Sequence, residues 1–219
     1  MTPDTAVAMA PPEAVLNADQ AAALKALHGT DSLFLTGEAG TGKSFTLGRY
    51  LRSMPHRIPI LASTGAAAVL VGGQTFHSFF GLGILSGPRR QVVGRAINSD
   101  RIRDNLMEHS TLVVDEVSML SGYVLSVAEE IARLVRGNDK PWGGIRIVAC
   151  GDFAQLPPVL DGLTPGADER WAFQSDVWHR TRFRAAVLRR VMRTGDTEFL
   201  RILNLVRRGR YTRDVYDFL

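Results

Sequence analysis

Apolar and polar residues follow one another along the chain in two patterns, which predict strands and helices in turn. Short apolar runs of strand length cover residues 32–36, 58–62, 111–114, 145–150 and 183–188. Around them, apolar residues recur at helical spacing in 18–27, 45–51, 98–107, 122–135 and 197–208. The run 145–150 has no polar alternation, which is typical of a strand buried on both faces. We therefore predict an α/β fold with a mainly parallel sheet and helices on both faces.

Changes in local composition along the sequence divide the chain into a leader, a main domain and an insertion. Residues 1–14 are mostly Ala, Pro and Thr and predict a disordered leader. Residues 84–110 begin with a basic, turn-like segment and end in an amphipathic helix, so we interpret them as a small insertion. The main domain then comprises 15–83 and 111–219. Residues 212–219 look like the start of a helix, so we expect the first half of a longer protein.

Composition narrows the class of protein further. The chain has 219 residues, of which 45% are hydrophobic and 22% charged, as in an ordinary globular domain. It contains no uninterrupted apolar stretch of about 18 residues and no basic N-terminal region, so we predict neither a membrane span nor a secretory signal. Cys150 is the only cysteine, which fits a reducing cytoplasm, and its apolar neighbours predict a small buried side chain.

Residues 37–44, GEAGTGKS, match the phosphate-binding pattern G-x-x-x-x-G-K-[ST] at every fixed position. A predicted strand precedes this loop and a predicted helix follows it, so backbone N–H groups and the helix N-terminus would face a phosphate. Lys43 would reach the β- and γ-phosphates, and the Ser44 hydroxyl would hold Mg²⁺. The alternative is a glycine-rich turn with a chance lysine, and both flanks argue against it. The predicted nucleotide-binding residues are Gly37, Ala39, Gly40, Thr41, Gly42, Lys43 and Ser44.

A second element of a nucleotide site follows the strand 111–114. Asp115 and Glu116 stand directly after this apolar run, in the arrangement called Walker B. Ligands of open α/β sheets bind at the carboxyl ends of the strands, which is where these carboxylates would lie. Asp115 would bind Mg²⁺, and Glu116 would orient and deprotonate the attacking water. An acidic pair also occurs by chance at strand ends, but the phosphate loop favours the functional interpretation.

Two glutamines complete the predicted nucleotide site. Gln20 precedes the phosphate loop by about 20 residues, and its amide can pair with an adenine edge, although a surface glutamine is the commoner case. Gln155 lies in the string GDFAQLPPV, residues 151–159, immediately after the predicted strand 145–150. It is placed to touch the γ-phosphate and to signal its loss to a loop that Pro157 and Pro158 stiffen.

Polar residues after the strand 58–62 predict a nucleic-acid-binding site. Thr64 and Gly65 lie where a strand passes into a helix, a place where hydroxyl and backbone N–H groups bind phosphate. Thr75 begins a stretch whose rings, Phe76, His77, Phe79 and Phe80, could stack on unpaired bases. We favour a core role for Phe79 and Phe80 and a functional one for His77 and Thr64.

Residues 178–213 form a basic block with eleven arginines and only two acidic residues. Such a block beside a nucleotide site indicates a polyanionic partner such as nucleic acid. A solvated arginine-rich surface is an equally good explanation, because the whole chain uses arginine in preference to lysine.

In order along the chain, these strings resemble the first RecA-like motor domain of superfamily-1 helicases of the Pif/RecD-like branch, a P-loop NTPase fold. The resemblance runs from residue 16 to residue 210. The strings that carry it are LNADQ at 16–20, GEAGTGKS at 37–44, ASTGAAAVLVGGQTFHSFFGLG at 62–83, VVDEVSML at 113–120, GDFAQLPPV at 151–159 and MRTGDTEFLRILNLVRRG at 192–209. The second and fifth are the most specific.

The resemblance implies a role for each matching residue. Lys43, Glu116, Gln155 and Arg193 would be catalytic, Gln20 would read adenine, and Ser44 and Asp115 would bind Mg²⁺. The implied DNA contacts are Thr64, Gly65, Thr75, Phe76, His77 and Pro157. Arg193 stands in the family's Arg-Gln pair, but Thr194 replaces the glutamine here, and Arg189 and Arg190 are close competitors. Residues 84–110 match the wedge subdomain in place and length.

The resemblance also implies the activity: an ATP- and Mg²⁺-dependent DNA helicase that moves five-prime to three-prime on single-stranded DNA and DNA junctions. Such an enzyme needs a second RecA-like domain, so we expect this chain alone not to unwind DNA. Two alternatives remain, a P-loop ATPase of the loader or switch type and a non-catalytic DNA-binding domain. Intact Lys43, Asp115 and Glu116 argue against the second of these.

Overall fold

Six strands and ten α-helices occupy the part of the chain that the computed structural model describes, residues 15–83, 85, 87–158, 170–192, 197–207 and 209–218. The strands are β1 (Leu33–Gly37), β2 (Ile60–Ala62), β3 (Gln74–Thr75), β4 (Thr111–Asp115), β5 (Arg146–Gly151) and β6 (Arg184–Leu188). The helices are α1 (Ala18–Leu27), α2 (Lys43–Ser53), α3 (Gly65–Leu70), α4 (Phe76–Phe80), α5 (Arg89–Ile97), α6 (Asp100–Glu108), α7 (Gly122–Arg136), α8 (Asp176–Thr181), α9 (Thr197–Arg207) and α10 (Arg213–Phe218).

The strands form one sheet in the order β3-β2-β4-β5-β1-β6, and every neighbouring pair is parallel. The register pairs Ala62 with Asp115 and Gly37 with Leu188, so the carboxyl ends of the strands lie side by side. Parallel neighbours require a crossover over a face of the sheet, which the helices provide. The predicted α/β class is confirmed.

Apolar side chains cover both faces of the sheet. On β4, Leu112 and Val114 belong to one buried cluster, whereas Val113 belongs to a second cluster on the opposite face. On β5, Ile147 and Ala149 likewise separate from Val148 and Cys150. Successive side chains of a strand point to opposite faces, so these unbroken apolar runs are strands buried on both sides. The core role favoured for Phe79 and Phe80 is confirmed, because both rings are fully buried.

Most predicted elements lie within two residues of their observed bounds, and the differences have local causes. Strand β2 begins at Ile60 because Pro59 has no N–H to donate, although its carbonyl oxygen accepts from the Val113 N–H at 3.0 Å. Helix α5 was not predicted, because its basic first turn resembles a solvated loop. Its apolar residues Val92, Val93 and Ala96 nevertheless point into the core.

The insertion shares the core of the main domain. Its buried residues on α5 and α6, including Val92, Ile102 and Leu106, belong to the same cluster as Phe80 and the apolar face of α7. Arg89 strengthens the contact, because its Nε donates to Glu130 of α7 at 2.6 Å. Residues 84–110 therefore have no separate core among the described residues, and a wedge function for them stays a prediction.

Two further predictions concern membranes and the chain's beginning. No helix among the described residues is both long and apolar enough to cross a bilayer. The predicted leader, residues 1–14, lies outside the described residues.

The shared core makes a prediction about stability. Leu106 is fully buried in α6, whereas its neighbour Met107 is 61% exposed on the same helix. We expect Leu106→Ala to lower the free energy of unfolding by about 2–5 kcal/mol, because it leaves a cavity in the core. Met107→Ala, the matched control, should change it by less than about 0.5 kcal/mol. Thermal unfolding monitored by circular dichroism tests this, and a separate early transition in the Leu106→Ala variant would show that the insertion unfolds alone.

Candidate nucleotide and nucleic-acid site

The segments that carry predicted site residues follow the carboxyl ends of the strands, apart from Gln20 on α1. Because all strands are parallel, these segments meet at one edge of the sheet. Thr75 ends β3 and Thr64 follows β2 at one end of that edge, and the phosphate loop follows β1 near the other. The Walker B carboxylates and the 151–158 segment lie between them, at the ends of β4 and β5. The predicted DNA-binding and nucleotide-binding residues thus lie towards opposite ends of this edge, and the predicted sensor Gln155 lies between them.

Two glycines of the phosphate loop are required by close contacts. Gly42 has φ +89°, and a Cβ there would lie 2.5 Å from Nε2 of Gln20. A Cβ on Gly37 would overlap the carbonyl oxygen of Leu188 on the neighbouring strand. Thr41 is buried beside them and donates from Oγ1 to the Glu38 carbonyl at 2.8 Å. The loop can therefore pass between α1 and β6 only with glycine at both positions.

Lys43 opens helix α2 at the centre of the loop. Its Nζ donates to the carbonyl oxygens of Gly37 at 2.8 Å and Glu38 at 3.2 Å. These neutral acceptors hold the ammonium group at the loop, where an anionic phosphate oxygen would be a stronger partner. The next residue, Ser44, is exposed, and the N-terminus of α2 adds its positive dipole. The loop has the charge and the donors that a polyphosphate needs.

A cavity of about 560 Å³ lies in front of the phosphate loop. Its walls include Gln20, Lys43, Ser44, Glu116 and Gln155. Residues from α1, the phosphate loop, the end of β4 and the end of β5 therefore face one space, as the sequence predicts. Val15, Phe45 and Met192 also line it and were not predicted. Their apolar side chains suit the flat face of a base, and only the folded chain brings them together.

The Walker B carboxylates are partly shielded from solvent. Asp115 is largely buried, and burial raises its pKa, although the Glu116 N–H, the Cys150 thiol and Lys43 oppose the rise. Its Oδ1 accepts from the Glu116 N–H at 3.0 Å. Burial and the neighbouring charge of Asp115 raise the pKa of Glu116 as well, with Lys43 acting in the opposite direction. A glutamate with a raised pKa is a better proton acceptor than an ordinary one.

Glu116 also has an unusual backbone. Its φ of 51° and ψ of 44° lie in the left-handed region, which non-glycine residues rarely adopt. Such strain collects at functional positions, where the surrounding structure enforces it. Cys150 is buried as predicted, but the sequence did not indicate that its thiol hydrogen-bonds to Asp115.

The side-chain amide of Gln20 makes structural hydrogen bonds, so only part of it is available for its predicted contact with adenine. Its Oε1 accepts from the Asn17 N–H at 3.1 Å, and its own N–H donates to Asn17 Oδ1 at 2.9 Å, which completes a capping box at the start of α1. Its Nε2 donates to the Thr41 carbonyl at 3.1 Å, and the residue is only 2% exposed. One amide hydrogen and one lone pair remain for a base, so adenine reading stays a prediction.

Arg193, the predicted arginine for the γ-phosphate, lies outside the described residues, as do residues 194–196. The segment just before them is fixed at two points. The Arg189 N–H donates to Oδ2 of Asp19 at 2.9 Å, and the Met192 N–H donates to the Gly40 carbonyl of the phosphate loop at 2.8 Å. Arg189 and Arg190 are exposed, so which of the three arginines faces the nucleotide stays a prediction.

The predicted DNA-binding residues differ in accessibility. Thr64 and Gly65 are exposed, and His77 and Pro157 are half-buried. Thr75 and Thr64 also cap helices, because their Oγ1 atoms accept from the Ser78 and Ala67 N–H groups. Burial lowers the pKa of His77, so its ring is neutral near pH 7 and free to stack.

Phe76 is a correction. We expected its ring to offer a stacking face, but it is 0% exposed and packs 4.8 Å from the ring of Phe80, centroid to centroid. A ring with no free face cannot stack on a base, so that prediction is wrong. The cause is helical spacing, because positions 76, 79 and 80 share the inner face of α4 and leave His77 as the only ring of this helix that is not fully buried.

The sequence and structure of this chain are similar to those of known proteins. The family described as PIF1-like helicase matches residues 15–214. The chain is 44% identical over 208 residues to the ATP-dependent DNA helicase Pif1 of Bdellovibrio bacteriovorus, covering 94% of this chain and 46% of that relative. It is 41% identical over 201 residues to the ATP-dependent DNA helicase PIF1 of Homo sapiens, covering 91% of this chain and 31% of that relative.

Solved structures give the same result. Pif1 helicase from Candida albicans superposes with a TM-score of 0.84 at 37% identity, covering 92% of this chain and 46% of that one. Pif1 helicase from Bacteroides in complex with ADP-AlF3 and single-stranded DNA gives a TM-score of 0.81 at 27% identity, covering 94% and 49%. This chain thus spans half or less of the length of these relatives. The match over nearly all of its own length confirms the predicted resemblance, and the chain belongs to the PIF1-like helicase family.

Proposed function

We propose that this chain is the ATP-binding motor domain of an ATP-dependent DNA helicase that moves on single-stranded DNA. The observation that carries the proposal is the cavity in which Lys43, Ser44, Glu116 and Gln155 meet at the carboxyl edge of the sheet. A phosphate-binding lysine, a metal-binding hydroxyl, a proton acceptor and a phosphate sensor are the parts that NTP hydrolysis needs. The relatives named above are ATP-dependent DNA helicases, and one of them was solved with single-stranded DNA.

Magnesium fits the residues of this site. Mg²⁺ prefers oxygen ligands, and Ser44 offers an exposed hydroxyl after the phosphate loop while Asp115 offers a carboxylate at the end of β4. The raised pKa of Asp115, caused mainly by burial, indicates a carboxylate that gains from a cation. When bound, the ion would neutralise charge on the phosphoryl group being transferred. Ser44 and Asp115 are the residues that would hold it.

The remaining residues divide the hydrolytic work. Lys43 would exchange its two carbonyl acceptors for phosphate oxygens, and Glu116 would take a proton from the attacking water. Gln155 would contact the γ-phosphate and pass its loss to Pro157 and the DNA-binding end of the edge. Arg193 would neutralise charge on the γ-phosphate. We propose five-prime to three-prime movement from the family, because none of these residues determines direction.

The DNA path would run across the β2–β3 end of the sheet edge. Thr64 and Gly65 present hydroxyl and N–H groups at the start of α3, where a phosphate would be bound. A Cβ on Gly65 would meet no atom within 4 Å, so the backbone there is open to a ligand. His77 and Thr75 on the neighbouring strand end would contact a base and its sugar.

Substitutions can separate ATP binding from ATP hydrolysis. Lys43→Ala and Glu116→Gln in the full-length protein should each lower kcat for ATP hydrolysis by about 100-fold or more. Only Lys43→Ala should greatly weaken ATP binding, because only the lysine contacts phosphate before the reaction. Equilibrium titration with a fluorescent ATP analogue measures this difference. Equal nucleotide affinities for the two variants would contradict these roles.

DNA dependence distinguishes a helicase motor from a loader or switch ATPase. We expect single-stranded DNA to stimulate the ATPase of the full-length protein. His77→Ala should weaken binding of fluorescently labelled single-stranded DNA by roughly 5-fold or more, the effect of losing one stacked base. His56→Ala is the control, because His56 is exposed at the opposite edge of the sheet, before β2. Equal DNA affinities for both variants would remove His77 from the site, and an ATPase indifferent to DNA would favour a loader or switch.

A further inference from the structure

We propose that Arg207, near the end of α9, is a positioning residue that fixes the orientation of Gln155 through Asp152. The inference rests on the proposed ATPase function, since Gln155 matters only if the cavity holds a nucleotide. It concerns two residues, Asp152 and Arg207, to which the sequence assigned no role.

Asp152 is the centre of this connection. It directly follows β5, is only 2% exposed, and both its carboxylate oxygens are engaged. Oδ1 accepts from the Ala154 N–H at 3.1 Å, and Oδ2 accepts from Gln155 Nε2 at 3.1 Å. Arg207 binds the same two oxygens, with Nη2 2.8 Å from Oδ1 and Nη1 on Oδ2. This is a two-pronged guanidinium–carboxylate pair, the strongest and most directional kind of ion pair.

The charge of Asp152 determines which end of the Gln155 amide faces it. An ionised carboxylate only accepts hydrogen bonds, so Gln155 must turn its NH₂ group towards Asp152. Burial by itself would raise the pKa of Asp152, but the bonds from Arg207, Ala154 and Gln155 outweigh burial and lower it. The second amide hydrogen and Oε1 of Gln155 then remain for the cavity, in one fixed arrangement.

Loss of the Arg207 charge would remove this constraint. A buried carboxylate without a cation tends to become protonated, because the neutral form avoids the desolvation penalty. A protonated carboxyl both donates and accepts, so Gln155 could present either end of its amide to it. The sensor would then divide its time between two orientations, of which one is wrong for a phosphate.

A second contact attaches the chain just before the Arg193 segment to the phosphate loop. Arg207 lies 55 residues beyond Asp152 in the chain and belongs to the helix after the Arg193 segment. The start of that segment is fixed to the phosphate loop by the bond from the Met192 N–H to the Gly40 carbonyl. Contacts on either side of the Arg193 segment therefore reach two walls of the same cavity, the phosphate loop through Met192 and Gln155 through Arg207 and Asp152.

A double-mutant cycle in the full-length protein tests the proposal. Arg207→Ala should lower the DNA-stimulated kcat by about 10-fold and change KM for ATP by less than about 3-fold, as for an interaction used in the transition state. If Arg207 acts through Gln155, the Gln155→Ala/Arg207→Ala double variant should have the kcat of Gln155→Ala alone. Arg207→Lys should recover part of the rate lost in Arg207→Ala, because an ammonium group keeps the charge but cannot form the bidentate hydrogen bonds.

Two further variants provide controls. Arg201→Ala lies on the same helix but removes only exposed pairs with Glu198 and Asp214, so its kcat should stay within about 2-fold of wild type. Asp152→Asn keeps the shape and loses the charge that orients Gln155. It should reproduce the kcat loss of Arg207→Ala even if that variant folds poorly. Melting temperatures of all variants separate a loss of rate from a loss of structure.

Each outcome has a definite meaning. Multiplied losses in the double variant, or a lowered melting temperature with unchanged kcat, would show that Arg207 only attaches α9 and would overturn the proposal. Wild-type protein without ATPase activity would defeat the proposed function instead. In that case the side-chain amide signals of Gln155 in an NMR spectrum still test the orientation. We expect the Gln155 amide proton that faces Asp152 to be shifted downfield and protected from exchange in wild type, and to lose both properties in Arg207→Ala. Identical spectra would refute the proposal.

Discussion

Parallel pairing of all six strands is the constraint on which the rest of the structure depends. It places every carboxyl end at one edge of the sheet, so loops far apart in sequence become neighbours there. The strand order then fixes which neighbours they are. Residues that follow β2 and β3 are separated from the phosphate loop by the ends of β4 and β5. In the proposed function, Glu116 and Gln155 therefore lie between the two ligands, at the strand ends where a sensor would act.

The second constraint is electrostatic. Asp115, Glu116 and Asp152 bring three carboxylates to adjoining strand ends, where burial disfavours their charged forms and the charges of Asp115 and Asp152 raise the pKa of Glu116. Lys43 opposes the rise for the first two, and Arg207 holds the third ionised. The attraction between such a cation and a carboxylate is much stronger in a site with little water than on the surface. Three other described arginines of the basic block form ion pairs within the chain, Arg180 with Glu129, Arg201 with Glu198 and Asp214, and Arg213 with Asp217, so part of the block serves local structure.

Sequence reasoning succeeded where a few neighbouring residues decide the outcome. The bounds of α1 and the glycine loop both depend on contacts within one or two turns, and both were found as expected. It failed where distant residues decide. The ring of Phe76 points inward because α4 packs on the sheet, and α5 hides an apolar face behind the arginines of its first turn. Gln20 was predicted for adenine, and the fold shows that it also holds together α1 and the phosphate loop.

The sequence by itself determined the chemistry of this protein: a phosphate loop, two carboxylates after an apolar strand, and a glutamine after the next one. These are local patterns, because a phosphate group, a metal ion and a water molecule each need only a few atoms at fixed spacing. Only the tertiary structure decided which of these atoms share a cavity and what holds them there. The pair between Asp152 and Arg207 joins residues 55 positions apart. No local pattern indicates it, because its partners meet only after β5 and α9 have packed together.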